Sequence, residues 1–237
     1  MLSLHNIKKS IKGKKIVDDI SFNIQEGTIN GLLGPNGAGK TTTFYLIAGL
    51  IKLDRGHIHF DMQDISKLPM HKRSKMGIKY LPQEPSIFQN LTVYQNLLGL
   101  AEISFIDKLQ VDTFVERSIE EFGLSNILNL KGRQLSGGQR RKVEIARTLA
   151  AEPRVILLDE PFAGIDPLAI EEIKSVLTSL KAKKIGILIT DHNVREALEI
   201  CDKAIVINNG AIIAQGPKND LINNDIVKKV YLGNMYS

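Results

Sequence analysis

Gly34-Pro35-Asn36-Gly37-Ala38-Gly39-Lys40-Thr41-Thr42 is the stretch on which the reading of this chain turns. It fits the pattern G-x-x-x-x-G-K-[ST] and follows the apolar run Ile29-Asn30-Gly31-Leu32-Leu33. A strand that feeds such a loop, with a helix behind it, is a phosphate cradle. Glycines carry no Cβ, so backbone N–H groups can turn inward onto phosphate oxygens. The helix expected from about Gly39 aims its unpaired N–H groups and its positive dipole end at the same anion. Lys40 adds a full charge, and Thr41 a hydroxyl for Mg²⁺. Nucleotide binding is the expectation that follows.

Outward from this loop, the hydrophobic pattern predicts the remaining elements. Leu2 to Ile7 and Lys15 to Ile24 alternate as strands around a turn at Lys12-Gly13-Lys14, an antiparallel start. Ile29 to Leu33 reads as a strand buried on both faces, and Gly39 to Leu50 as a helix closed near Gly49. Gly56 to Phe60 is a further strand, Met70 to Lys75 a polar helix, and Gly77 to Leu81 a strand ended by Pro82 and Pro85. Leu91 to Phe122 has Val111, Phe114, Val115, Ile119 and Phe122 at helical spacing, with neither Gly nor Pro between Leu100 and Phe122. It is expected to be helical throughout, part of a helical subdomain inserted at about residues 86–152. Beyond it, a helix around Val143 to Ala150 precedes a regular alternation of strand and helix. Val155 to Leu158, Ile185 to Thr190 and Ala204 to Asn208 are the strands; Leu168 to Leu180 and Val194 to Cys201 are the helices. Such alternation implies a mainly parallel sheet with right-handed crossovers. Asn209-Gly210 is a hairpin turn into Ala211 to Gln215, and the chain from Lys218 onward reads as polar and helical. The expected fold class is α/β, with one domain over residues 1–237.

Bulk properties narrow the function. A chain of 237 residues can bury a substantial core, and nothing in it calls for disulfide or metal staples. The single cysteine, Cys201, excludes an internal disulfide and fits a buried thiol in a reducing compartment, so a cytoplasmic protein is expected. No segment approaches the roughly 20 apolar residues of a membrane span, and the first residues lack the apolar core of a leader, so neither secretion nor membrane insertion is expected. The net charge of +5 is spread along the chain and favours no nucleic-acid partner. Arg140-Arg141-Lys142 reads as a solvated helix surface, and His57, His59 and Asp61 as an exposed strand face rather than a metal site.

Two further stretches carry chemistry. Val155-Ile156-Leu157-Leu158-Asp159-Glu160 ends a buried strand in two carboxylates, at the strand end where ligands sit in parallel sheets. Asp159 is expected to hold Mg²⁺, through water, and Glu160 to be the base that orients an attacking water. In Leu135-Ser136-Gly137-Gly138-Gln139, two adjacent glycines open a strong helix, a local cost that makes sense when something must approach the backbone; Ser136 also suits an N-cap.

On this pentapeptide the chain resembles the ATP-binding cassette (ABC) ATPases. The resemblance implies a P-loop NTPase fold, with an antiparallel β subdomain at the N-terminus. It also implies that Ser136, Gly137, Gly138 and Gln139 cover the γ-phosphate of an ATP held by the other subunit of a homodimer. By the same resemblance Gln83, after Tyr80-Leu81-Pro82, links Mg²⁺ and water to a membrane partner, Ala163-Gly164-Ile165-Asp166 is the D-loop, and His192 contacts the γ-phosphate. The aromatic residue that the family often stacks on adenine is missing, since Ser10-Ile11-Lys12 offers only Ile11 as an apolar face.

A closer likeness runs through Leu32 to Tyr45, Tyr80 to Leu91, Leu157 to Pro167, Leu188 to Glu196 and Tyr231-Leu232-Gly233. It is similar to the ATPase subunits of bacterial lipopolysaccharide exporters. This implies attachment to two transmembrane permease subunits at the cytoplasmic face of the inner membrane, with Ser86 to Leu91 and an exposed Phe88 lining the groove that receives them. ATPases of branched-chain amino acid importers share the length and the Tyr-Leu-Gly ending, but Thr190 to Glu196 and Thr41 to Tyr45 fit them less well. Soluble ABC proteins acting on DNA or ribosomes usually carry two cassettes, a long coiled coil or a charged linker, none of which is seen in this sequence.

Overall fold

The computed structural model describes residues 1–233. The N-terminal third builds an antiparallel sheet from β1 (Leu2–Ile11) and β2 (Lys14–Ile24), followed by β3 (Ile29–Leu33), α1 (Lys40–Ala48), β4 (Arg55–Phe60) and the short β5 (Gln63–Asp64). Strand order in this sheet is β2-β1-β4-β5, with Leu4 opposite Phe22 on one side and Ile58 on the other. The β1–β2 turn is tighter than the sequence implies: Ile11 pairs with Lys14, and Lys12 and Gly13 alone turn, both at positive φ (50° and 79°). Two central residues of this kind match the right-handed twist of the strands they join.

After α2 (Met70–Lys75) and β6 (Ile78–Leu81) come three helices, α3 (Val93–Ser104), α4 (Lys108–Glu121) and α5 (Gly137–Thr148). The chain then alternates through β7 (Val155–Asp159), α6 (Pro167–Ala182), β8 (Gly186–Thr190), α7 (Val194–Ile200), β9 (Lys203–Asn208) and β10 (Ala211–Gly216). The second sheet has the order β10-β9-β3-β8-β7-β6, parallel from β9 to β6, with β10 antiparallel to β9 across the Asn209-Gly210 turn. Every residue of β3, β7 and β8 is buried. These strands are covered on both faces, which is why their sequences are runs rather than alternations. One apolar cluster fills the space between the two sheets and α1, with Leu32, Phe44, Ile47 and Leu157; the other lies on the opposite face with Val143, Ile156, Leu158 and Ile173.

The stretch expected to be helical, Leu91 to Phe122, forms two helices. Thr92 caps α3 in a reciprocal capping box with Gln95. Phe105 is extended (φ −111°, ψ 143°), and the Asp107 carboxylate accepts the Leu109 N–H at 3.1 Å to start α4. An aspartate cap breaks the helix where no Gly or Pro announces it. At the C-terminus, Lys218–Ile222 and Asp225–Val227 are short helices, and Lys228–Leu232 is a turn of π-helix; residues 234–237, the end of the expected helical tail, lie outside the described residues. Among the described residues no helix is long and apolar enough to cross a membrane.

Candidate nucleotide site

β3 delivers the chain to Gly34, whose φ of 149° and tight surroundings admit no side chain: a Cβ there would lie 2.1 Å from the Ile207 carbonyl oxygen. Gly39 is held the same way, at φ 105° with a Cβ position 2.6 Å from the Ile16 carbonyl oxygen. These two positions fix the loop between its strand and its helix. Lys40, buried at the start of α1, donates from Nζ to the carbonyls of Gly34 (2.8 Å) and Pro35 (3.0 Å). Burial pulls the pKa of this amine down, and the Glu160 and Asp159 carboxylates push it back up. Asn36, Gly37 and Thr41 are exposed around it, Pro35 and Thr42 half-buried, and Ala38 buried.

The acidic pair comes from β7. Strand alternation sends Ile156 and Leu158 to one core cluster and Val155 and Leu157 to the other, so Asp159 falls on the α1 face. It is buried, its Oδ1 accepting from the Thr190 hydroxyl (2.7 Å) and its Oδ2 from the Tyr80 hydroxyl (3.2 Å). Glu160 leaves the strand at φ 49°, which turns its carboxylate to His192: Oε1 and Nε2 are 2.5 Å apart. Its other oxygen, Oε2, is buried and has no hydrogen-bond partner. Burial raises the Glu160 pKa; the proximity of His192 opposes this, while Asp159 and Asp191 add to it. A carboxylate with one oxygen engaged and the other free is equipped to accept from a water. Gln83, exposed just beyond β6, lines one narrow crevice with Gly137 and Glu160.

Ser136 is the N-cap of α5, exchanging hydrogen bonds with Gln139 in a capping box. The paired glycines have a reason within the chain itself. A Cβ on Gly138 would sit 2.4 Å from the Ala169 Cβ of α6, and one on Gly137 3.0 Å from the Gly164 carbonyl oxygen. Asp166 caps α6, accepting the Ala169 N–H at 3.0 Å. Among the described residues, no hydrogen bond joins residues 136–139 to residues 34–42.

The solvated reading of Arg140-Arg141-Lys142 fails at its middle residue. Arg141 is buried and donates to Glu144 (3.2 Å), to the Pro82 carbonyl (3.0 Å) and to the Asp159 carbonyl (3.2 Å). It ties α5 to the segment carrying Gln83 and to the end of β7. The signal was its spacing: Arg141 stands three residues after buried Gly138 and four before buried Ile145, on the inward face of α5. Asp191, also passed over, is buried and accepts the N–H groups of Phe162 (2.9 Å) and Asn193 (2.8 Å), thereby fixing the loops on either side of Glu160 and His192.

Residues 17–163 match the family model described as ABC transporter. The chain belongs to the ABC transporter family. This ABC chain is 51% identical over 237 residues to the "Lipopolysaccharide export system ATP-binding protein LptB" of Haemophilus influenzae, covering 100% of itself and 98% of that protein. It is 48% identical over 235 residues to the protein of the same name from Escherichia coli K12, covering 98% and 97%. Among solved structures it is similar to an ATP-binding cassette of an ABC transporter in its ADP conformation, with a TM-score of 0.87, 32% identity and 98% of each chain covered. The cassette is an ATPase, and Lys40, the acidic end of β7 and His192 stand close together.

Proposed function

We propose that this ABC ATPase powers lipopolysaccharide export from the bacterial inner membrane. One observation carries the reading: identity near one half to two lipopolysaccharide export proteins, over 100% and 98% of the chain. Residues 86–152 act as a helical subdomain of the single nucleotide-binding domain. ATP binds at Gly34 to Thr42, where Lys40 exchanges its two carbonyl partners for phosphate oxygens. The donors around this loop suit Mg²⁺, a hard cation that takes oxygen ligands: the exposed Thr41 hydroxyl, the buried Asp159 carboxylate and the Gln83 amide oxygen. When bound, Mg²⁺ neutralises charge on the phosphates. Glu160 accepts from the attacking water through Oε2, and His192 turns from Glu160 to the γ-phosphate. Ser136, Gly137, Gly138 and Gln139, with Asp166, serve the nucleotide of the second chain in a homodimer; the exposed helix N-terminus at Ser136 supports this. Two transmembrane subunits dock beside Phe88, which is 52% exposed and lies under the Arg147 guanidinium at 5.2 Å. The dimer thereby associates peripherally with the cytoplasmic face of the inner membrane.

The test is replacement in an Escherichia coli strain depleted of its own lipopolysaccharide export ATP-binding protein. Growth should be restored, and the chain should co-purify with membrane subunits that carry lipopolysaccharide. Failure to restore growth by a folded, ATP-hydrolysing chain, or co-purification with an amino acid permease, would overturn the reading.

A further inference from the structure

Asp159 is clamped by hydroxyls from the strands on both sides, Thr190 of β8 and Tyr80 of β6. The register explains the choice of residues. Asp159 stands directly opposite Thr190, so a short side chain reaches it. Tyr80 stands opposite Leu157, two residues short of Asp159 on the same face, so only a side chain as long as tyrosine spans the offset. The ring is braced edge-on by Phe44 and Tyr45 of α1, with centroids 6.3 and 6.0 Å away. That helix carries Lys40 and Thr41 at its start. Together the two hydroxyls occupy one acceptor position on each carboxylate oxygen and leave the others free.

We propose that Tyr80 is a positioning residue for metal binding, its hydroxyl fixing the plane of the Asp159 carboxylate so that the free acceptor positions meet Mg²⁺ and its waters. The inference rests on the assignment of Asp159 to the metal site made above. Partners that orient a metal-binding group typically change metal affinity by about 10- to 100-fold when removed. A purely packing role would leave metal affinity alone, because phenylalanine keeps the ring between Phe44 and Tyr45.

The experiment measures Mn²⁺ binding to the full chain in the presence of ADP, from the electron paramagnetic resonance signal of free Mn²⁺. Wild type, Tyr80→Phe and Asp159→Asn are compared, alongside ADP affinity in EDTA and the melting temperature. Tyr80→Phe should weaken Mn²⁺ binding about tenfold, with metal-free ADP affinity and melting temperature unchanged; Asp159→Asn should weaken it further. Wild-type Mn²⁺ affinity in Tyr80→Phe, with Asp159→Asn impaired, overturns the role of Tyr80 and leaves the metal site standing. Wild-type affinity in Asp159→Asn overturns the metal assignment itself. Parallel losses of ADP affinity and melting temperature in Tyr80→Phe would show a structural role only and overturn the proposal.

Discussion

Replacing Arg141 with methionine tests the connection between α5, the Gln83 segment and the end of β7. Methionine fills much of the same volume, but it leaves the Glu144 carboxylate buried without its cation and removes the donors to the Pro82 and Asp159 carbonyls. Two of the carboxylate's contacts persist, the N–H groups of Ser86 at 2.7 Å and Ile87 at 3.3 Å. Removing one partner of a buried pair typically costs about 3 to 5 kcal/mol, because the other charge is stranded. At roughly 2 to 4 °C per kcal/mol for a domain of this size, the melting temperature should fall by about 6 to 20 °C. The double variant Arg141→Met/Glu144→Gln removes the stranded charge while keeping an acceptor for Ser86, so it should recover a large part of the loss. Thermal unfolding of the wild type, both single variants and the double variant closes the cycle. A fall of less than about 2 °C in Arg141→Met, equivalent to under 1 kcal/mol, or a double variant no better than the sum of the singles, would refute the reasoning.

Glu160→Gln should retain ATP binding and lose turnover, since the amide keeps the shape but not the acceptor for water; wild-type-like steady-state hydrolysis would falsify the assignment. The same variant has a pH signature. The folded chain holds the Glu160 proton more tightly than the unfolded chain does, so ionisation costs stability as pH rises from the ordinary glutamate value through the raised one. Glu160→Gln should therefore melt above the wild type at pH 8, with the gap narrowing toward pH 4; a gap independent of pH counts against it. Lys40→Ala should weaken ATP binding and hydrolysis together, which a nucleotide titration checks; unchanged affinity would place the lysine elsewhere. Phe88→Ala should spare hydrolysis by the isolated chain and reduce co-purification with membrane subunits, and normal assembly and transport would refute the docking site. Ser136→Arg should block ATP-driven dimerisation while sparing ATP binding by the monomer. Mixing it with Lys40→Ala should restore partial dimerisation on size exclusion, because one heterodimer site keeps both groups intact; hydrolysis by a strictly monomeric form sinks this arrangement.

Residues whose role is set by local backbone demands were legible from the sequence alone. Gly34 and Gly39 answer to positive φ values that side chains rarely adopt, and the runs at Ile29 to Leu33 and Val155 to Asp159 announce doubly buried parallel strands. The order of strand, loop and helix therefore fixed the fold class. Where the answer depended on a neighbour distant in sequence, local pattern could not supply it. Arg141 looks solvated between two other cations until Pro82, Asp159 and Glu144 are seen around it, and Gly138 looks like a ligand-facing glycine until Ala169 arrives from α6. The break at Asp107 depended on a side chain competing for a backbone donor rather than on Gly or Pro. The sequence alone thus determined which chemical groups this protein owns and the elements that carry them. Tertiary structure alone decided which of them meet: strand register set Tyr80 and Thr190 against Asp159, and a left-handed residue at the strand end turned Glu160 onto His192. Side-chain partnership depends on how elements pack in three dimensions, and spacing along a chain records only the part of that packing that lies within one element.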